Sequence, residues 1–155
     1  MIKMAVNSWE RELSSVGFLY QTYKMNQYIS HVAIATPAKY KGSYDNFVIT
    51  AGLKAFESLY TANSIMINEH TTDFDFKERK RLLRQGIAEV SVCAGAFHIY
   101  MEHWRMVDGV KSETVDKALE AISDFAYNIK GMTLNVIKSD ERRQAEFKAK
   151  KASNK

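Results

Sequence analysis

Five basic side chains crowd the start of one apolar-periodic segment, in the stretch DFKERKRLLRQG at residues 75–86. Lysine and arginine donate charge-assisted hydrogen bonds to phosphate oxygens, so a group of this kind can bind a polyanion such as a nucleic acid. A helix start prefers negative charge, because its first N–H groups are unpaired and its dipole is positive there. The cations therefore oppose the preference of the helix. They are Lys77, Arg79, Lys80, Arg81 and Arg84.

Four of these cations form a stripe about two turns long on a helix, because they follow one another at three- and four-residue steps. Arg79 lies off the stripe. Like charges at such spacings repel each other on a helix surface. We therefore predict that the stripe faces a polyanion. The alternative is a solvated face whose charge is neutralised by acidic residues nearby, namely Glu69, Asp73, Asp75 and Glu78.

A second basic group lies at the C-terminal end, where residues 138–155 hold seven basic and three acidic side chains. The whole chain has 22 basic and 18 acidic residues, so the rest of the chain holds fifteen of each and is neutral. The net charge of +4 therefore arises from this end. The residues predicted to bind phosphates here are Arg142, Arg143, Lys148, Lys150 and Lys151.

Residue patterns for catalysis or metal binding are weak. Glu102 and His103 are adjacent and point to different faces, whereas a di-metal site in a helical bundle uses Glu-x-x-His pairs. His98 and Glu102 are four residues apart, but one such pair is a poor metal site. Cys93 and His98 fall on different faces, so Cys93 is predicted to be a core residue. We predict a protein that is not an enzyme and uses no metal or cofactor. A bundle enzyme built on His98, Glu102 and His103 remains an alternative.

Four apolar-periodic segments predict four long helices. The chain has one proline and seven glycines, few breakers for its length, which favours helices over a many-turned β architecture. Short breaks between long helices make neighbours antiparallel, so the predicted fold is all-α, an up-down-up-down four-helix bundle. The predicted helices run from about residue 9 to 35, 44 to 70, 76 to 106, and 112 onward.

Residues suited to helix ends mark the predicted boundaries. Pro37 ends the first helix, and Ser43 is the predicted N-cap of the second. Asp75 and Glu78 stand in the positions of a capping box for the third helix. Ser112 is the predicted cap of the fourth. We therefore divide the chain into an N-terminal extension (1–8), the bundle (9–140) and a basic, flexible tail (141–155).

The sequence also predicts where the protein resides. Polar residues interrupt the N-terminal stretch at once, so no secretory signal is expected. No apolar run approaches the roughly 20 residues that span a bilayer. The single Cys93 rules out an internal disulfide framework and fits a reducing compartment. We predict a cytoplasmic protein with no membrane association.

A series of features between residues 20 and 143 resembles a known family. A tyrosine-rich first helix (YQTYKMNQYI) precedes the break TPAKYKG, and the second helix ends in SLYTANSIMIN. A third helix then begins with the arginine-rich turn, and the fourth closes with AISDFAYNIKGMTLNVIKSDERR before the basic tail. In this order the chain resembles the accessory variability determinant proteins of diversity-generating retroelements, which belong with the bundle proteins encoded in 23S rRNA intervening sequences.

The resemblance implies a non-enzymatic homopentamer of four-helix bundles around a basic channel. Such a protein binds the reverse transcriptase of the retroelement and its template RNA or DNA, and it supports mutagenic cDNA synthesis. On this chain the stripe and the tail would face the phosphates. The alternative is a helical interaction and oligomerisation module that binds no nucleic acid and whose cations form salt bridges.

Overall fold

The structure, a computed structural model, describes Trp9, residues 12–13 and residues 16–155. The described part contains helices and no strand, so the predicted all-α class is confirmed. The predicted N-terminal extension lies outside the described residues, as do several positions at the predicted start of the first helix. The elements are α1 (Gly17–Ala35), α2 (Ala38–Tyr44), a π-helical segment (Asp45–Ile49), α3 (Thr50–Ser64), α4 (Asp73–Val107) and α5 (Ser112–Ser153).

The α2 helix, the π-helical segment and α3 form one continuous rod, because the backbone stays right-handed helical at Asp45 and Thr50. The N–H of Thr50 donates to Asp45 O, five residues back, as expected of a π turn. The rod begins directly after Pro37, whose fixed φ suits a helix start. The predicted start at residue 44 is therefore wrong, and the predicted cap Ser43 lies inside α2.

The α4 helix begins with a hydroxyl cap. Thr72 is its N-cap, and Thr72 Oγ1 accepts a hydrogen bond from the Asp75 N–H at 3.1 Å. The predicted capping box had Asp75 as the cap, so the cap residue was misplaced by three positions. Asp75 instead occupies the third helical position, where its negative charge interacts favourably with the positive end of the helix dipole. Glu78 is then available to bind Arg81.

The α5 helix is 42 residues long and includes most of the segment that we predicted to be a flexible tail. Lys111 holds the N-cap position without a side-chain hydrogen bond, so the predicted cap by Ser112 is not formed. The helix continues to Ser153, and the Asn154 N–H still donates to Lys150 O at 3.2 Å. Alanine, lysine, glutamate and glutamine, which are strong helix formers, dominate its last turns. No break in secondary structure occurs at residue 140.

Consecutive rods contact each other in opposite directions. Along α3 and α4, Ser58 binds Glu89, whereas Ala62, further along α3, lies against Arg79 near the start of α4. The α1 helix contacts both α3 and α5, so each rod has two neighbours. The pairs along α4 and α5 are Arg105 with Asp116 and Arg79 with Asp140.

An apolar core fills the space between the rods. The prediction that Cys93 is a core residue is confirmed, since its side chain is fully buried and its Sγ lies 3.5 Å from Val48 O. Burial raises the pKa of this thiol to about 12, so it stays protonated at neutral pH. A Cβ at Gly86 would lie 2.4 Å from Leu59 Cδ2, so glycine allows α3 and α4 to approach closely. Fully buried residues come from every rod, including Leu19, Ile29, Tyr44, Leu59, Leu83, Phe97, Ile122 and Ile129.

Candidate nucleic-acid interface

The two basic groups of the sequence lie side by side in the structure. Lys80 at the start of α4 forms an ion pair with Glu141 near the end of α5. Asp73 Oδ1 accepts a hydrogen bond from Gln144 Nε2 at 2.8 Å and lies 3.2 Å from Lys148 Nζ. These contacts follow from the antiparallel packing, which sets the first turns of α4 against the last turns of α5. We call the joint surface, residues 73–86 and 138–155, the basic end.

Charge is distributed unevenly between the basic end and the remaining chain. The basic end holds twelve basic and six acidic side chains, whereas the other residues hold ten basic and twelve acidic ones. The basic end therefore carries a net charge of +6 and the remainder carries −2. A concentration of one sign of charge raises the local concentration of oppositely charged ligands and steers their approach. The surface is suited to binding a polyanion.

Arg79 is not part of this surface, and the prediction that it contacts phosphate is wrong. Its side chain is buried, and its Nε donates to Asp140 Oδ2 at 2.6 Å. Its Nη1 donates to Ala62 O at 2.9 Å and to Ile65 O at 3.2 Å. Carbonyls at a helix C-terminus lack intrahelical partners, so Arg79 satisfies the end of α3. It joins three helical rods, which explains why it lies off the stripe.

Arg143 has a comparable structural role. Its Nη2 donates to Ile67 O at 2.8 Å, in the connection between α3 and α4. Its guanidinium carbon lies 5.9 Å from the ring centroid of Phe147, and the residue as a whole is half-buried. The connection is thus fastened by arginines from both α4 and α5. One guanidinium nitrogen of Arg143 is engaged with the protein, and the contact of Arg143 with phosphate stays a prediction.

Four further cations of the predicted site lie on the surface in ion pairs with carboxylates. Hydrogen bonds from Arg81 lower the pKa of Glu78, and those from Lys80 lower the pKa of Glu141, so both carboxylates are ionised at neutral pH. Exposed pairs of this kind contribute little to stability, and an incoming phosphate can replace the carboxylate. The pairs are Lys80–Glu141, Arg81–Glu78 at 2.6 Å, Arg142–Glu146 at 3.9 Å and Lys148–Asp73 at 3.2 Å.

The last four predicted residues form no ion pair or side-chain hydrogen bond within the described part of the chain. Lys77 lines a cleft of about 250 Å³ between α4 and α5. Lys151 lines a neighbouring cleft of about 290 Å³, and both clefts include Asp73. Arg84 lies two turns beyond Lys77 on α4, at the edge of the basic end. These exposed cations are Lys77, Arg84, Lys150 and Lys151.

The residues of the alternative enzyme hypothesis each contact a different group. His98 Nε2 lies 3.2 Å from Ser123 Oγ, and Glu102 accepts a hydrogen bond from Arg105 at 2.9 Å. The ring of His103 packs edge-on against Tyr40. Among the residues that the structure describes, no three metal-ligating side chains come together.

Comparison with known proteins found no family model, no curated protein and no solved structure that matches this chain. Across the described ranges, none of the helices combines the length and apolar character that a bilayer span requires. The resemblance to the retroelement accessory proteins therefore stays a hypothesis. What this geometry can do chemically is bind anionic groups through exposed ammonium and guanidinium donors on an open surface.

Proposed function

We propose that this protein is a non-enzymatic, cytoplasmic accessory factor that binds RNA or DNA through its basic end. Following the resemblance, we further propose that it serves the reverse transcriptase of a diversity-generating retroelement in mutagenic cDNA synthesis. The observation that carries the nucleic-acid proposal is the meeting of two basic segments on one surface, while the rest of the chain is slightly acidic. Neither segment alone has this charge.

We also propose that the four antiparallel rods are an up-down-up-down four-helix bundle that assembles into a homo-oligomer, a pentamer as in the resemblance. Large apolar side chains outside the core support self-association, because apolar area beyond the shared core favours association with another chain. A ring of chains would bring several basic ends together around one channel. The exposed apolar side chains of the first two rods include Ile34, Phe47, Leu53 and Tyr60.

The chemistry of the basic end indicates how it recognises its ligand. Lysine and arginine side chains on an open surface bind phosphate oxygens, which carry no sequence information. Binding should therefore tolerate changes of nucleotide sequence and weaken as salt rises. Lys77, Lys150 and Lys151 form no ion pair in the described structure that would have to break before they bind a phosphate. They therefore make the first contacts with the nucleic acid. Lys80, Arg81 and Lys148 join by exchanging partners.

The direct test is fluorescence anisotropy with two labelled single-stranded RNAs of the same length and unrelated sequence. We expect both RNAs to bind at low salt with similar dissociation constants. Absence of binding, or binding of one sequence alone, would contradict the proposal. The interaction module without nucleic-acid binding, which the exposed ion pairs favour, predicts no binding of either RNA. A native mass spectrum of the same sample gives the number of chains.

Removing two carboxylates from the basic end is expected to strengthen RNA binding. In the double variant Glu78→Gln, Glu141→Gln, Arg81 and Lys80 lose their anionic partners and become available to phosphates. We expect the dissociation constant to fall by roughly threefold to tenfold at about 50 mM salt. The matched control is Glu113→Gln, Glu120→Gln, which changes the net charge equally at the opposite end of α5. An equal gain in both variants would show that only net charge matters.

Acid can also free Arg81 and Lys80, because protonation removes the charge of Glu78 and Glu141. The direction of the two pKa shifts determines the pH range in which this occurs. The pKa of Glu78 and that of Glu141 lie below the ordinary value of 4.5 in the folded protein. The stabilising contribution of each pair is therefore present above pH 4.5 and is lost as the pH falls through the lowered pKa. Between neutral pH and 5, the pairs persist and RNA binding should not change on their account.

A further inference from the structure

The side of α4 turned away from the core carries a row of exposed residues at alternating steps of three and four. Val92 is 63 % exposed, Ile99 71 % and Met106 82 %, although all three are apolar. The residues that α4 gives to the core, such as Val90 and Phe97, lie on the other side. Alternating three- and four-residue steps are the spacing with which one helix packs along another. We call this the outer row: Gln85, Ala88, Val92, Gly95, Ile99, Glu102 and Met106.

Gly95 is the residue in this row that packing within the chain does not explain. Glycine inside a helix is less favourable than alanine, so it usually stands where a neighbour comes close. At Gly86 that neighbour is Leu59, but a Cβ at position 95 would have no atom within 4 Å in the described structure. An open glycine at the centre of an exposed apolar row allows the backbone of another helix to approach.

The row complements itself when a second copy is turned end for end. With Val92 of one copy level with Gly95 of the second copy, Ile99 is level with Ala88, so a large apolar side chain faces a small residue at both of these central steps. In the same register Arg84 lies within one residue of Glu102 of the second copy. Arg84 forms no ion pair within its own described chain, although its charge acts on Glu141, and Glu102 is exposed and pairs with Arg105. Opposite charges thus meet at both ends of the contact.

We infer that two copies of this chain associate through the outer row of α4, antiparallel and about a two-fold axis near residues 93–94. A two-fold contact uses the same patch on both copies and closes at two, so it differs from the head-to-tail interface that builds a ring. Parallel copies would instead set Glu102 against Glu102 and Arg84 against Arg84. The antiparallel arrangement places the two basic ends at opposite ends of the pair. Arg84 then serves this contact and leaves Lys77, Lys150 and Lys151 to phosphates.

Native mass spectrometry and sedimentation equilibrium of the full chain test this inference. Ile99→Glu and Gly95→Leu should each raise the dissociation constant of the pair at least tenfold. Gly131→Leu is the matched control, because Gly131 is also exposed, helical and without an atom within 4 Å of its Cβ position, but lies on α5. If the chain also assembles through another face, the two variants should halve the mass of the assembly.

Charge reversal provides the sharper test. Arg84→Glu and Glu102→Arg should each weaken the pair, and the double variant should restore it, because the two reversed charges again face each other across the two-fold axis. Failure of the double variant to restore association would overturn the inference. The inference would also be overturned if Ile99→Glu left the mass of the assembly unchanged. The same holds if Gly131→Leu weakened association as much as Gly95→Leu does. The readout is mass, so the inference stands or falls independently of RNA binding.

Discussion

Replacing Asp140 by Ala is expected to lower the free energy of unfolding by about 3–5 kcal/mol. The variant leaves the guanidinium of Arg79 buried without its anionic partner, and the two side chains are only 11 % and 12 % exposed. The hydrogen bonds from Arg79 to Ala62 O and Ile65 O remain but supply no opposite charge. The loss should be visible as a lower midpoint in urea denaturation, with an unchanged slope.

The neighbouring residue gives a control for this prediction. Glu141→Ala removes a carboxylate from the same turn of α5, but its pair with Lys80 is exposed, so the urea midpoint should shift little. The double variant Arg79→Met, Asp140→Ala removes both charges. Its loss in free energy of unfolding should be smaller than the sum of the losses in Arg79→Met and Asp140→Ala. Equal effects of Asp140→Ala and Glu141→Ala would show that the buried pair does not hold the rods together.

The variant Lys77→Ala, Lys150→Ala, Lys151→Ala is expected to lose most of the RNA affinity. Each lysine contact with a phosphate releases counterions, which contributes roughly tenfold in affinity at about 50 mM salt. Loss of three contacts should therefore raise the dissociation constant on the order of 10²–10³-fold. Arg84 is left unchanged, so that the proposed two-fold contact of α4 is not disturbed. Fluorescence anisotropy with single-stranded RNA is the measurement.

The control must remove the same charge elsewhere. Lys24→Ala, Lys54→Ala, Lys130→Ala lowers the net charge by the same amount at positions outside residues 73–86 and 138–155. Its RNA affinity should fall far less, because these lysines lie outside the basic end. Equal losses in the two triple variants would contradict an interface located at residues 73–86 and 138–155, and would indicate a nonspecific effect of net charge.

Apolar periodicity predicts the extent of a rod well where the periodic apolar residues continue up to a helix-breaking residue. The third rod was predicted from residue 76 to 106, close to the observed Asp73–Val107, because its apolar residues continue without interruption. The prediction places the start of the second rod too late, because Pro37 suits the start of a helix as well as the end of the preceding one. The helix through residues 141–153 was missed because basic composition indicates solvation, whereas helix propensity and contacts with Asp73 and Ile67 favour order.

For the candidate site, the sequence predicts the position of the cations but not their contacts. The stripe on α4 was readable from spacing, and so was the position of Arg79 off it. Its partner Asp140 is 61 residues away, and no local pattern connects the two. The antiparallel packing that joins the two basic segments is likewise a property of the fold. The sequence could show which cations are unusual, but not which of them are buried.

The measurement that tests the nucleic-acid proposal most directly is the salt dependence of RNA binding. For single-stranded RNA, a plot of log K against log salt should be linear for the wild-type protein, with a slope of about −0.7 for each phosphate contact. In the variant Lys77→Ala, Lys150→Ala, Lys151→Ala the slope should become less negative by roughly 2. An identical slope in the two proteins, or a wild-type affinity independent of salt, would contradict the assignment of the basic end as a nucleic-acid interface.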